Sequence, residues 1–300
     1  MKVPVLLIGF NRPDVIEQNV QRILSVHPSK LYIAIDGPRP GRTDDIENVQ
    51  KVRDVVKNIQ FDGEIHYLLH EENLGCNGNV TSGISWVLEK EEYVIVVEDD
   101  VMTSKSFFSF LEDMLIRYKD EENIAMVSGC NYHPISLPNN EDYCFAQTGH
   151  IWGWGTWKKQ WSKFSLNMEI KDSDISIEHL RKVSANEDIA QCRQKSYRKL
   201  KSRKRETVSW DVLYACFRMI NGYLSIVPAC HLTSNIGTQG THTGGTGSYH
   251  FQQINDDFVA QKHPNKIVWC KDYDIEQFNC RPKVTLLSRI IGRLKRLFIK

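Results

Sequence analysis

Tyr93-Val94-Ile95-Val96-Val97-Glu98-Asp99-Asp100 decides the reading of this chain. Tyr93 to Val97 is apolar on both faces, β-branched and too short for a buried helix. It reads as a strand covered on both sides, as in a parallel sheet. Three carboxylates follow at once. Their mutual repulsion is unfavourable unless a cation or water relieves it. A hard divalent cation, Mn²⁺ or Mg²⁺, held by one or two carboxylates and substrate phosphates, suits such a run. A solvated acidic turn is the plain alternative. The position at the C-terminal end of a central strand favours the functional reading.

Working outward, the pattern is β-α-β-α-β-α-β-α over the first 120 residues. Val3 to Phe10, Leu31 to Ile35 and Glu64 to Leu69 read as strands. Helices follow at Pro13 (Ile16, Val20, Ile23, Leu24), over Ile46 to Ile59, after the Asn73-Leu74-Gly75 loop (Val80, Ile84, Val87, Leu88), and over Phe107 to Tyr118. The expected fold is α/β, Rossmann-like, a mostly parallel sheet flanked by helices. Ligands of such sheets bind beyond the carboxyl ends of the strands. Asn11, Arg12, Asp36, Asn73 to Asn77 and the acidic run occupy those places. The second half is less regular. It carries the aromatic-glycine segment Trp152 to Trp157, the basic run Arg193 to Arg205, a helix over Trp210 to Ile220, a strand over Tyr223 to Val227 and the glycine-rich Gly237 to Gly247.

In this context the chain resembles the GT-A-fold glycosyltransferases, of the N-acetylglucosaminyltransferase I type and its bacterial relatives. Glu98-Asp99-Asp100 resembles their variant of the DxD motif, with Phe107 to Leu111 as the aromatic helix behind it. Val127-Ser128-Gly129 with Asn131, Gly153-Trp154-Gly155, Ser209-Trp210-Asp211 and Gly240-Thr241-His242 resemble further family segments in the same order. The matches span about residues 3 to 250. The resemblance implies a GT-A fold with a less regular acceptor-side lobe. It implies that Asp100 contacts the metal, and that Glu98 and Asp99 hold ribose hydroxyls and metal-bound waters. Asp36 would accept from the uracil of a UDP-sugar, and Asn11 and Arg12 would line the nucleotide pocket.

Displacement at an anomeric carbon by a hydroxyl needs a proton acceptor opposite the leaving nucleotide. Asp211 is the candidate, although the family has two adjacent acids and here Val212 follows. A carboxylate capping a helix N-terminus is the plain alternative. The Gly237 to Gly247 stretch holds five glycines in eleven residues. Its backbone amides and hydroxyls, with Thr241 and His242, could close over a diphosphate; an ordinary surface loop is the alternative. Trp152, Trp154 and Trp157 offer flat faces to a sugar ring and equally suit a core. An Asp-Gly turn explains Asp36 as well as a uracil contact does.

Charge divides the chain. Its net charge is +1, yet the last twenty residues carry seven Lys and Arg and no acid. The remaining 31 basic and 37 acidic residues leave a body of −6. In the tail, Leu286, Leu287, Ile290, Ile291, Leu294, Leu297 and Phe298 share one helical face, with basic residues mainly outside it. That is the pattern of an in-plane anchor on an anionic membrane surface; docking on the body is the alternative. Arg193 to Arg205 holds eight basic residues in thirteen. It reads as a solvated helix or as a clamp on a phosphate-bearing acceptor; no nucleic acid is expected, since no such module is recognisable.

At 300 residues, 41% hydrophobic and 25% charged, the composition excludes disordered, collagen-like and small disulfide-scaffold chains. No apolar run approaches the roughly 20 residues of a membrane-spanning helix. The eight cysteines include no CxxC pair, and no signal-peptide pattern opens the chain. A cytoplasmic protein with free thiols, peripheral on the inner face of the membrane, is expected. The expected organisation is one domain with a nucleotide-sugar-binding half (1–125) and an acceptor-side and catalytic-base half (126–280), followed by a basic amphipathic tail (281–300). The expected function is a metal-dependent, inverting transfer of sugar from a UDP-sugar to a glycan acceptor, lipid-linked and in bacterial surface-polysaccharide assembly. The rivals are a sugar-1-phosphate nucleotidyltransferase and a non-catalytic membrane- or nucleic-acid-binding protein. The first should carry a glycine-rich basic loop after strand one, where this chain has Asn11-Arg12-Pro13.

Overall fold

The alternating pattern of the first half becomes one side of a large sheet in the computed structural model, which describes residues 1–133, 135, 137, 140–237 and 252–280. β1 (Val5–Gly9), α1 (Pro13–Leu24), β2 (Lys30–Ile35), α2 (Thr43–Lys57), β3 (Glu64–Leu69), α3 (Gly75–Lys90) and β4 (Tyr93–Glu98) follow in the expected order. β5 (Val101–Thr103) and α4 (Lys105–Arg117) come next. Strands β3, β2, β1 and β4 lie side by side and parallel. The connecting helices satisfy the crossover that each parallel pair requires.

The later strands extend the same sheet. They are β6 (Ile124–Ser128), β7 (Tyr143–Ala146), β8 (Trp154–Trp157) and β9 (Leu224–Pro228), and the order is β3-β2-β1-β4-β8-β6-β9-β7. β8 runs antiparallel between β4 and β6, and β7 antiparallel beside β9. The division drawn after residue 125 therefore passes through β6, and one sheet joins both sides. α5 (Lys158–Trp161), α6 (Ile177–Lys182), α7 (Glu187–Lys201) and α8 (Trp210–Ile220) fill the connection between β8 and β9. β10 (Thr233–Asn235) pairs antiparallel with β5, and α9 (Lys271–Asn279) follows.

Successive strand residues point to opposite faces, and the core divides accordingly. Val5, Leu7, Ile33, Ile95 and Val97 pack against α1, α2 and the phenylalanines of α4. Leu6, Ile8, Ala34, Val94 and Val96 pack against α3, α5 and α8. A third cluster unites α6, α7 and α8 through Leu180, Ala190, Leu200 and Leu213.

β8 decides between the two readings for Trp154 and Trp157, in favour of the core. Trp154 and Trp157 are buried in the two main cores, and Trp154 stacks on Trp210 at 5.9 Å. Gly155 lies between them because a Cβ there would meet Leu115 Cδ1 at 2.9 Å and the Val94 carbonyl at 3.1 Å. The glycine permits close approach to the neighbouring strand and helix.

Asp274 of α9 is buried and anchors the C-terminal described segment. It accepts from the amides of Gln147 (3.0 Å) and Thr148 (2.7 Å) and from Trp269 Nε1 (2.5 Å). Asp274→Ala strands these donors and is expected to cost about 3 kcal/mol, read as a lower urea midpoint. An unchanged midpoint would contradict this anchoring role.

Candidate functional site

The acidic run is held from below and clamped from the side. Asn19 of α1 donates to the Asp99 carbonyl at 2.6 Å. Arg12, in the β1–α1 connection, donates to both carboxylate oxygens of Asp99 and to Asp100 Oδ2 at 3.1 Å. The Phe10 amide adds a long contact to Asp99 at 3.4 Å. Burial opposes the Arg12 charge, but Asp99 and Asp100 outweigh it and keep the guanidinium protonated. Burial pushes Asp99 up to about 6 despite Arg12. Glu98 rises to about 8 through burial, then through the charges of Asp100, Asp99 and Asp211. It keeps a partly open edge to solvent.

Asp36 lies beyond β2 and is buried. It accepts from the amides of Gly37 (2.9 Å) and Leu74 (2.8 Å) and from Asn73 Nδ2 (3.0 Å). Burial raises its pKa and these amides oppose the rise. Asp36 thus ties the Asn73-Leu74-Gly75 turn, and with it the start of α3, to the end of β2. A uracil contact would have to share an oxygen already engaged.

Asn11 also has a local partner. Its side chain donates to Asp45 at 2.6 Å, and Arg39 Nε reaches the same carboxylate at 2.5 Å. The Arg39 bond, against burial and with help from Asn11, lowers Asp45 to about 2. Because the folded value is depressed, this contribution to stability is complete above the ordinary carboxylate range. It is lost as pH falls through about 2. Asp45→Asn is expected to remove one carboxylate's share of the acid destabilisation between about pH 4 and 2, making the unfolding profile shallower there than in the wild type. Acid titration followed by circular dichroism tests this; identical acid profiles would contradict it.

The charge of Asp211, at the start of α8, also acts on the acidic run by raising Glu98. Asn77 of α3 donates to the Val208 carbonyl (2.8 Å) and accepts from the Trp210 amide (2.7 Å), fixing the start of α8. The Asp211 carboxylate accepts from the Ser209 hydroxyl. Asn77, rather than Asp211, thus takes the first amide of the helix. The Cys76 thiol, against Trp210, is pushed up to about 12 by burial and by the charges of Glu98, Asp211 and Asp100. The charges of Asp211 and Asp100 thus act on both Glu98 and Cys76.

Gly237 closes the far edge. A Cβ at Gly237 would lie 2.5 Å from Asp100 Oδ2. The Ile236 amide donates to the Asp100 carbonyl at 2.9 Å. The glycine-rich stretch therefore starts against the acidic run. Thr241, His242 and the tail 281–300 lie outside the described residues.

Asp99 and Asp100 face the Arg12 guanidinium, Glu98 adjoins them, and the charge of Asp211 acts on Glu98. Excess negative charge of this kind fits a hard divalent cation. Among the described residues no group of three or more His, Cys, Asp and Glu closes into a ready cage. Among the described residues no helix is long and apolar enough to cross a membrane.

The structure adds two residues that the sequence reading did not single out. Asn19 supports the acidic run, and Asn79 holds the end of β1, its Nδ2 donating to the Gly9 carbonyl at 3.1 Å. Asn77 and Cys76, within the 73–77 stretch, meet the start of α8, and the one local signal for Asn79 is the polar, small-residue opening Gly75-Cys76-Asn77-Gly78-Asn79 of a helix that is otherwise apolar on one face.

No protein-family model matches the chain, and no curated protein sequence matches it. Similar solved structures include an apo UDP-glucose pyrophosphorylase, at 9% identity and TM-score 0.39, covering 78% of this chain and 93% of that one. Another is a 4-diphosphocytidyl-2C-methyl-D-erythritol synthase from Anaerococcus prevotii, at 14% identity and TM-score 0.37, covering 57% and 79%. A third is HddC from Yersinia pseudotuberculosis, at 10% identity and TM-score 0.34, covering 54% and 80%. None of these three bears a glycosyltransferase name. At such TM-scores the function rests on this chain's own residues.

Proposed function

We propose that this chain is a metal-dependent, inverting glycosyltransferase that moves a sugar from a UDP-sugar to a hydroxyl of a glycan acceptor. The observation carrying this reading is the Arg12-clamped run Glu98-Asp99-Asp100 at the C-terminal end of β4. The run offers carboxylates to a cation and its diphosphate, and Asp211, whose charge acts on Glu98, is the base in this reading.

In this reading Asp100 would hold Mn²⁺ or Mg²⁺, and the ion would neutralise charge on the leaving diphosphate. Glu98 and Asp99 would hold ribose hydroxyls and waters of the ion, and Arg12 orients Asp99 and Asp100. Asn11 and Asp36 shape the nucleotide side chiefly by fixing its loops. Asp211 takes the proton of the acceptor hydroxyl as its oxygen bonds the anomeric carbon and the bond to UDP breaks. Thr241 and His242 act on the diphosphate from the glycine-rich stretch. The tail rests on an anionic membrane surface at the cytoplasmic face, and the acceptor is lipid-linked, as in surface-polysaccharide assembly.

Nucleotidyl transfer is the second reading, and a pyrophosphorylase name among the similar structures raises it. The β1–α1 connection speaks against it. Asn11-Arg12-Pro13 is no glycine-rich loop, and Arg12 is committed to Asp99 and Asp100.

A paired assay separates the two. Purified protein with Mn²⁺ is given either labelled UDP-sugars with membrane glycolipids, or UTP with sugar 1-phosphates. Labelled glycolipid with UDP release supports sugar transfer. Pyrophosphate release from UTP in place of it would overturn that reading.

A further inference from the structure

A cleft of about 350 Å³ lies between α7 and α8 and reaches Phe278 at the end of α9. That volume falls within the roughly 300–1,000 Å³ of small-molecule sites. Its wall is mainly apolar: Ile189, Val212, Ala215, Met219 and Phe278, with Cys192 at the surface. Val212 is 45% exposed, high for an aliphatic side chain on a helix packed into the core. Asp211 lines the same cleft. The carboxylate proposed as base thus lies in the wall of this apolar cleft, while its charge also acts on Glu98.

Exposed lysines adjoin the cleft-lining residues of α7. Lys195 and Lys199 are exposed on α7 and lie three residues beyond Cys192 and Ser196, on adjoining ridges of the helix. The stretch Arg193 to Arg205 contains no acid, in a body of net charge −6. One of its cations is structural: Arg193 is buried and donates to Gln147 Oε1 and the Val183 carbonyl, each at 2.6 Å. Lys195 and Lys199 remain on the solvent side, where they complement an anion.

We infer that this cleft is the acceptor site and that its occupant is a lipid phosphate, its chain along the apolar wall and its phosphate against Lys195 and Lys199. The inference rests on the reading of Asp211 as base and gives the acceptor a chemical class.

The test uses the full chain carrying Cys280→Ser, because Cys280 is the other exposed thiol among the described residues. Maleimide alkylation of Cys192, located by peptide mass, is timed with dodecyl phosphate below its micelle concentration, with dodecyl maltoside and with inorganic phosphate. Dodecyl phosphate is expected to slow alkylation about tenfold at saturation, with dodecyl maltoside needing about tenfold more ligand for equal protection and inorganic phosphate giving none. Lys195→Glu and Lys199→Glu should each weaken dodecyl phosphate about fivefold. Ala215→Trp fills the cleft and should abolish protection; exposed Val212→Asp provides the same test should the tryptophan unfold the chain.

Equal protection by dodecyl maltoside, equal protection by inorganic phosphate, or no protection by dodecyl phosphate would each overturn the proposal. UDP binding is measured separately on the same protein. Its loss would count against the donor reading, whereas failure of protection with UDP binding intact would count against the lipid-phosphate site alone.

Discussion

Asp211→Asn is expected to lower sugar transfer by about 10²- to 10⁴-fold, the usual contribution of a positioned general base. The loss should fall on turnover, with UDP binding persisting in calorimetry. The geometry makes the variant clean. Asn77 holds the Trp210 amide, so α8 does not depend on the carboxylate for its start. The Ser209 hydroxyl that donates to Asp211 can donate equally to an asparagine carbonyl. Asp211→Glu keeps the basic group at a displaced position and should recover part of the rate. UDP release timed with donor and glycolipid present reads all three proteins. Wild-type turnover in Asp211→Asn would remove Asp211 from the chemistry and leave Glu98 as the carboxylate to test next.

Trp154→Ala is expected to destabilise the fold by about 3–5 kcal/mol, the range for truncating a large buried aromatic. Trp154 is fully buried and packs with Trp161, Trp210 and Tyr214 at ring separations of 6.1, 5.9 and 5.4 Å. It belongs to the strand inserted between β4 and β6, so the void would open beside the strand that carries the acidic run. A fall in Tm of roughly 10 °C follows from the usual size scaling, and scanning calorimetry checks it. A stable Trp154→Ala protein that had lost glycolipid transfer would instead return Trp154 to the role of a sugar platform.

The two variants illustrate what the sequence could and could not disclose. Buried strands such as β1 and β4 are legible because β-branched and leucine runs, apolar on both faces, fit little else in a chain of this class. α8 is legible to the residue because its apolar spacing is helical and Ser209 and Asp211 mark its start. The location of the acidic run beyond a central strand follows from the same reasoning. β8 is not legible. Its four residues, two of them Trp and one Gly, carry no alternation, and their burial depends on strands about 30 and 60 residues earlier in the chain.

The site divides in the same way. Glu98, Asp99 and Asp100 announce themselves by being adjacent. Their partners do not: Arg12 is 87 residues from Asp99, and Asn77 is 133 from Trp210. Such pairings arise from the topology that brings the ends of β1, β2 and β4 together. Asp36 and Asn11 show the converse. Each is correctly placed at a strand end, yet each spends its side chain on holding a loop. Gly237 acquires its meaning only beside Asp100, where a side chain could not fit.

The central claim is that the acidic run beyond β4 is a metal-dependent nucleotide site. Isothermal calorimetry of UDP, with and without Mn²⁺, on wild type and Asp100→Ala tests it most directly. The account predicts UDP binding that requires Mn²⁺ in the wild type and is lost, by at least about tenfold in affinity, in Asp100→Ala. Absence of UDP binding under every metal condition, or equal metal-dependent binding by Asp100→Ala, would contradict it.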